Sequence, residues 1–173
     1  MDSLSKVGFG GSCHWCTEAI FQSLKGVDEV EQGWIASEGK DSSFSEAVVV
    51  HFDPAAISLK TLIAVHLHTH SCTSQHSMRT KYRSAVYTFN EEQIDPAKEA
   101  IAGLQKEFDN AIVTRIIPFK DFKLNDETYL NYYYSNPEKP FCENVVSHKL
   151  RLLLQQFLNH VDKGKLASLS EVK

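Results

Sequence analysis

Val7-Gly8-Phe9-Gly10-Gly11-Ser12-Cys13-His14-Trp15-Cys16-Thr17-Glu18-Ala19-Ile20-Phe21-Gln22-Ser23-Leu24-Lys25 reads as the end of a strand, a small-residue turn and a helix. Apolar side chains recur at helical spacing after Cys13, and Gly10-Gly11 forms the turn that delivers the cysteine to the helix start. Unpaired N–H groups and the positive end of the helix dipole favour a thiolate there, so Cys13 is the candidate reactive atom of the chain. Cys16 follows one helical turn on. The Cys-x-x-Cys pair can be a dithiol, a metal pair or a coincidence of spacing.

Working outward, Gly26 is expected to close this helix, and Val27 to Ile35 alternates apolar and polar residues as a strand with an irregularity near Gly33. Ser37 to Ser45 is a polar loop. Ala47-Val48-Val49-Val50-His51-Phe52 is a strand of β-branched residues stopped by Asp53-Pro54. Ser58 is placed to N-cap a helix with a histidine-rich end, followed by a polar loop over Ser71 to Lys81. Ser84 to Phe89 forms a strand, Asn90 caps a helix over Glu91 to Phe108 that must adjust to Pro96, and Ile112 to Phe119 forms a further strand. Helical segments near Asp126 to Tyr134 and Ser147 to His160 complete an α+β order. The expected architecture is a ferredoxin-like two-layer core with a mixed sheet covered by helices. Residues 1–163 are read as one domain and 164–173 as a flexible tail.

A chain of 173 residues, 42% hydrophobic and 23% charged, buries one good core. A net charge of −4 provides no basic field for nucleic acid. No apolar run is long enough to span a membrane, and no secretory cleavage pattern opens the chain, so a cytoplasmic protein without a membrane partner is expected. Four cysteines are too few for a disulfide scaffold at this length.

Three further features carry candidate chemistry. Glu46 sits at the mouth of the most apolar strand. On spacing alone it is an ordinary solvated strand-end glutamate; the alternative is a partly desolvated carboxyl that holds a proton near neutral pH. His66, His68, His70 and His76 read as a polar helix end and loop, with no bound metal. The alternative is a zinc-stabilised binding module built on Cys13, Cys16, His66 and His70, since His66 and His70 share a helix face. Tyr82 and Arg83 stand at a loop-to-strand junction as hydrogen-bond donors of a site or as surface groups. Tyr129, Tyr132, Tyr133 and Tyr134 are expected to pack a helix on the sheet.

Together the motifs resemble the A-class peptide methionine sulfoxide reductases. That family's Gly-Cys-Phe-Trp signature, followed by Gly or Cys and then a glutamate, is similar to Ser12-Cys13-His14-Trp15-Cys16-Thr17-Glu18. Its His-Ala-Glu is similar to Phe44-Ser45-Glu46, its Gln-Tyr-Arg-Ser to Lys81-Tyr82-Arg83-Ser84, and its Asn-Pro-x-Gly-Tyr-Cys to the stretch from Asn136-Pro137 to Cys142. The resemblance implies reduction of the S-epimer of methionine sulfoxide, free or in oxidised proteins. Cys13 would be the nucleophile, Glu46 the proton donor and Tyr82 a support for the sulfoxide oxygen, while His14 and Trp15 wall the substrate's methyl group. It also implies a Cys13 sulfenic acid resolved by a second thiol, with Cys142 favoured over Cys16, and reduction by thioredoxin without a bound cofactor. The chain departs from the pattern at His14, which replaces phenylalanine, at Gly33-Trp34-Ile35-Ala36-Ser37, which stands where the family has Gly-Tyr-x-Gly-Gly, and in a shortened loop that lacks the family's second oxygen-binding tyrosine. Ser77 replaces an aspartate and Arg79 a glycine. A degenerate member that binds oxidised methionine without turnover is a further alternative.

Overall fold

The computed structural model describes residues 4–75, 79, 81–130 and 147–164. Strand β1 (Ser5–Gly10) runs through the Gly10-Gly11 turn into helix α1 (His14–Gln22), and β2 (Val27–Ala36) and β3 (Ser45–Phe52) follow. Helix α2 (Leu59–His68) leads back to β4 (Ala85–Thr88). The four strands of this six-element unit pair in the order β4-β1-β3-β2, all antiparallel, which is the ferredoxin-like arrangement. Helix α3 (Ile94–Leu104) then carries the chain to β5 (Arg115–Pro118), which adds parallel to β4; β6 (Asp121–Leu124) adds antiparallel to the far edge, on β2. The six-stranded sheet of the described residues is therefore mixed, in an α+β fold. Helix α4 (Ser147–Gln156) packs against α1.

The strand period of two sorts the side chains into two layers. Val7 and Phe9 of β1, Val48 and Val50 of β3, and Val86 of β4 face the helices and pack with Ile20, Phe21, Leu62, Ala97 and Leu153. Phe9 lies flat on Phe21 at 4.7 Å between ring centres, so one stacked pair joins β1 to α1. Truncating either ring would cost about 3–5 kcal/mol. On the opposite face Ile35, Ala47, Val49, Ala85 and Tyr87 form a smaller cluster closed by Phe89, Phe119 and Phe122.

Several elements differ from the sequence expectation for identifiable reasons. Helix α1 ends at Gln22, with Ser23 as its C-cap, and Gly26 (φ +82°) serves the turn into β2 instead. The register of β2 shifts between Val27 and Glu29; Gly33 sits in regular pairing, where a Cβ would fall 2.0 Å from the Lys123 carbonyl of β6. Ser58 does cap α2, accepting from the Thr61 amide at 3.1 Å. Asn90 caps a short 3-10 turn (Glu91–Gln93), so α3 proper starts at Ile94 and Pro96 falls in its first turn, where its missing N–H is tolerated. The strand expected from Ile112 is regular only over Arg115–Pro118. Of the helical segment expected near Asp126 to Tyr134, the described part is a 3-10 turn, Glu127–Tyr129, with Leu130 extended. Tyr132, Tyr133, Tyr134, His76, Ser77, Cys142 and the expected tail beyond Gly164 lie outside the described residues.

Candidate active site

Cys13 is the N-cap of α1, and its carbonyl accepts the first helical hydrogen bonds from Cys16 and Thr17. Gly11 makes this placement possible: its φ is +142°, and a Cβ there would meet the His70 ring at 2.6 Å. The Cys13 thiol is held below its ordinary pKa, first by the Cys16 thiol that donates to its sulfur and then by the backbone N–H groups of Trp15 and Cys16. Burial and the Glu46 carboxylate oppose the shift. Cys16 is thus directed at Cys13 although the residue is 1% exposed and part of the core. Cys13, Cys16 and Cys72 are all free thiols.

Glu46 is 6% exposed, so it is not a solvated strand-end group. Its side chain turns to the helix face, where Oε1 lies 3.4 Å from both the His14 backbone nitrogen and His14 Nε2. On its other side Lys81 Nζ lies 3.6 Å from Oε2, and the Lys81 carbonyl accepts from the Glu46 amide. The exposed Lys81 ammonium is held above its ordinary pKa, first by a hydrogen bond to Tyr82 and then by Glu46. Lys81 therefore joins Glu46 to Tyr82. Sequence reasoning passed over Lys81 because a lysine in a polar loop carries no distinguishing spacing.

A cavity of about 420 Å³ opens beside the helix start; among its walls are Gly11, Ser12, Cys13, Tyr82, His70 and Lys149. Cys13 and Tyr82 share this cavity; Glu46 is not among its walls and meets the site through His14 and Lys81. Trp15 is half-buried and stacks on Tyr129 at 5.7 Å. Trp34 pairs across the sheet with Glu46 and meets His14 edge-on at 5.2 Å. Arg83 is directed away from the cavity. Its guanidinium donates to Tyr87 Oη and to the Ile35 and Ser43 carbonyls on the other side of the sheet. Arg79 donates to the carbonyls of Gly11, Ser71, Ser74 and Tyr82, tying the loop before β4 to the turn before Cys13.

His66 is buried in the core and His70 is half-buried beside it, so the two do not form a solvated polar helix end. His66 is 3% exposed, packs on Phe9 and donates through Nε2 to the Gly10 carbonyl. His70 donates through Nδ1 to the His66 carbonyl and accepts from Ser84 through Nε2, and Thr114 completes the chain. Burial holds both below the usual histidine range, His70 at about 4. These bonds occupy His66 Nε2 and both ring nitrogens of His70, leaving His66 Nδ1 without a hydrogen-bond partner, and no group of three potential metal ligands occurs among the described residues. No described helix is long and apolar enough to cross a membrane.

Residues 5–161 match the family model described as peptide methionine sulfoxide reductase. The peptide methionine sulfoxide reductase MsrA of Deinococcus radiodurans is 37% identical over 165 residues, which is 86% of this chain and 80% of the relative. Among solved structures, reduced Mxr1 from Saccharomyces cerevisiae superposes with a TM-score of 0.73 at 22% identity, covering 81% of this chain and 90% of that one. The structure of Mxr1 in complex with Trx2 superposes at 0.58 with 20% identity, covering 75% and 85%. Those two likenesses establish the fold. The match along nearly the whole domain, at an identity that holds across both chains, settles descent as well: the chain belongs to the peptide methionine sulfoxide reductase family.

Proposed function

We propose that the chain reduces the S-epimer of methionine sulfoxide, free or in oxidised proteins, with Cys13 as nucleophile, Glu46 as proton donor and Tyr82 as a hydrogen-bond donor to the sulfoxide oxygen. The observation that carries this reading is Cys13 at the start of α1, its thiol lowered and facing the cavity that Tyr82 also lines. The thiolate attacks the sulfoxide sulfur while the proton from Glu46 goes to the oxygen, which ends on Cys13. Thiolate, proton and sulfoxide thus yield a sulfenic acid and a thioether; cysteine sulfur loses two electrons and the substrate sulfur gains them. Protonation makes the oxygen transferable, and a lowered thiol beside a buried carboxyl divides that work. Trp15 walls the methyl group, with His14 beneath it.

The sulfenic acid condenses with a second thiol, releasing water and leaving a disulfide. Cys16 is supported by its hydrogen bond to Cys13; Cys142, which the resemblance favours, lies outside the described residues. An external dithiol restores both thiols, and the family resemblance together with the Mxr1–Trx2 complex supports thioredoxin in that role. No bound cofactor enters these steps, and the cytoplasm supplies such a reductant. Residues 1–163 act as one catalytic domain.

Separate R and S epimers of a blocked methionine sulfoxide, assayed with dithiothreitol, test the proposal. The S-epimer should turn over, and Cys13→Ser should abolish the reaction. Turnover by Cys13→Ser, or reaction of the R-epimer alone, would overturn it.

A further inference from the structure

His14 stands where the resembling signature has phenylalanine, and its side chain is 6% exposed. Its Nδ1 lies 2.9 Å from the Gly33 carbonyl, which can only accept, so Nδ1 carries the proton and Nε2 presents a lone pair. Two groups face that lone pair at 3.4 Å: the Asn125 side-chain amide and Glu46 Oε1. Asn125 is held by Gln32 at 2.6 Å, and Gln32 by Glu18 at 2.8 Å, so a buried polar chain fixes the ring from behind. The charged or titratable groups around the ring are Cys13 beside it in sequence, Glu46 from β3, Lys81 from the segment before β4, and Glu18 through Gln32. From β2 and the end of β6 come the neutral Gly33 carbonyl and the Asn125 amide. Burial holds His14 below the usual histidine range, consistent with a neutral ring.

We propose that His14 is a positioning residue for the proton on Glu46: its Nε2 accepts the hydrogen bond of the protonated carboxyl and holds that acid ready between turnovers. The inference rests on Glu46 as the proton donor proposed above. A neutral acceptor buried against a carboxyl stabilises the protonated form, whereas a carboxylate facing the same lone pair gains nothing from it. When Glu46 gives its proton to the sulfoxide oxygen, the proton that returns from solvent is retained by the same contact. Phenylalanine offers no such acceptor.

The test compares Glu46→Gln, His14→Phe and His14→Gln over a range of pH with the S-epimer as substrate. Glu46→Gln should slow single turnover by about 100-fold. His14→Phe should lower kcat near neutral pH by about tenfold and move the high-pH descent of kcat to lower pH, with KM within about twofold. His14→Gln retains an acceptor and should recover part of both losses. Independently of activity, the infrared band of a protonated carboxyl that Glu46→Gln removes should weaken in His14→Phe. A fast Glu46→Gln variant would remove the acid and this inference with it. A slow Glu46→Gln variant beside a His14→Phe variant with the wild-type pH profile would overturn the inference alone, as would equal losses in both His14 variants without a change in pH profile.

Discussion

The thiol of Cys16 donates its hydrogen bond to the sulfur of Cys13 from one turn further along α1. One contact thus favours the thiolate and places a second sulfur beside the nucleophile. Cys16→Ala should raise the Cys13 pKa, so alkylation of Cys13 near pH 7 should slow by about threefold or more and its rise with pH should move to higher pH. Cys16→Ser, whose hydroxyl can donate, should retain most of the rate. Peptide mapping after one equivalent of sulfoxide without reductant should recover a Cys13–Cys16 disulfide. Recovery of Cys13–Cys142 instead would assign the resolving role to Cys142.

Lys81 exerts the opposite influence on the carboxyl. Its ammonium, 3.6 Å from Glu46 Oε2, favours the charged carboxylate, so Lys81→Gln should let the acid persist to higher pH. The high-pH descent of kcat should therefore move upward, opposite in sign to the effect of His14→Phe. Because Lys81 is solvent-exposed, the change should stay below about tenfold in rate and diminish with salt. A movement to lower pH would show that Lys81 supports the protonated acid.

Gly11 bears on the site through backbone geometry. Its φ of +142° disfavours any L side chain, and a Cβ would press on a His70 ring pinned by two hydrogen bonds. Gly11→Ala should destabilise the fold by about 1–3 kcal/mol in urea unfolding and lower the rate of Cys13 alkylation. Unchanged stability would mean that the turn can adopt another path without loss.

What the sequence made legible was local. The turn into α1, the β-branched run of β3 and the Ser58 cap each depend on residues close in the chain, and each is found in place. Strand β6 escaped because its four residues pair only along an edge of β2. Gly33 was misread for the same reason: what it must clear is the Lys123 carbonyl, 90 positions away. Gln32 has the alternation of a solvated strand position yet is 0% exposed, because Glu18 and Asn125 cover and bond it. At the site, the positions of Cys13 and Glu46 followed from a helix start and a strand mouth. The setting of His14 did not, since its ring is held by Gly33 and Asn125, 19 and 111 positions away.

The buried pair His66 and His70 makes stability depend on pH in a direction that follows from their burial. Both are neutral in the folded protein, and both take up protons on unfolding once the pH falls below about 6.5. The stability tied to His70 is therefore fully present above about 6.5 and is lost as pH falls toward and through about 4, a total of roughly 3 kcal/mol. His66, more deeply buried and next to His70, adds a loss in the same direction. Urea unfolding at several pH values between about 7 and 5 should show a steady decline, and His70→Gln should flatten it by removing one titrating group. Comparison with the variant separates this loss from that of carboxylates such as Asp41, whose pairing with Arg115 is also acid-sensitive. A chelator should leave the melting temperature and the activity unchanged, because both ring nitrogens of His70 and Nε2 of His66 are bonded to protein groups and no group of three potential ligands occurs among the described residues. A stoichiometric metal lost together with the fold would instead make the histidine pair a ligand set.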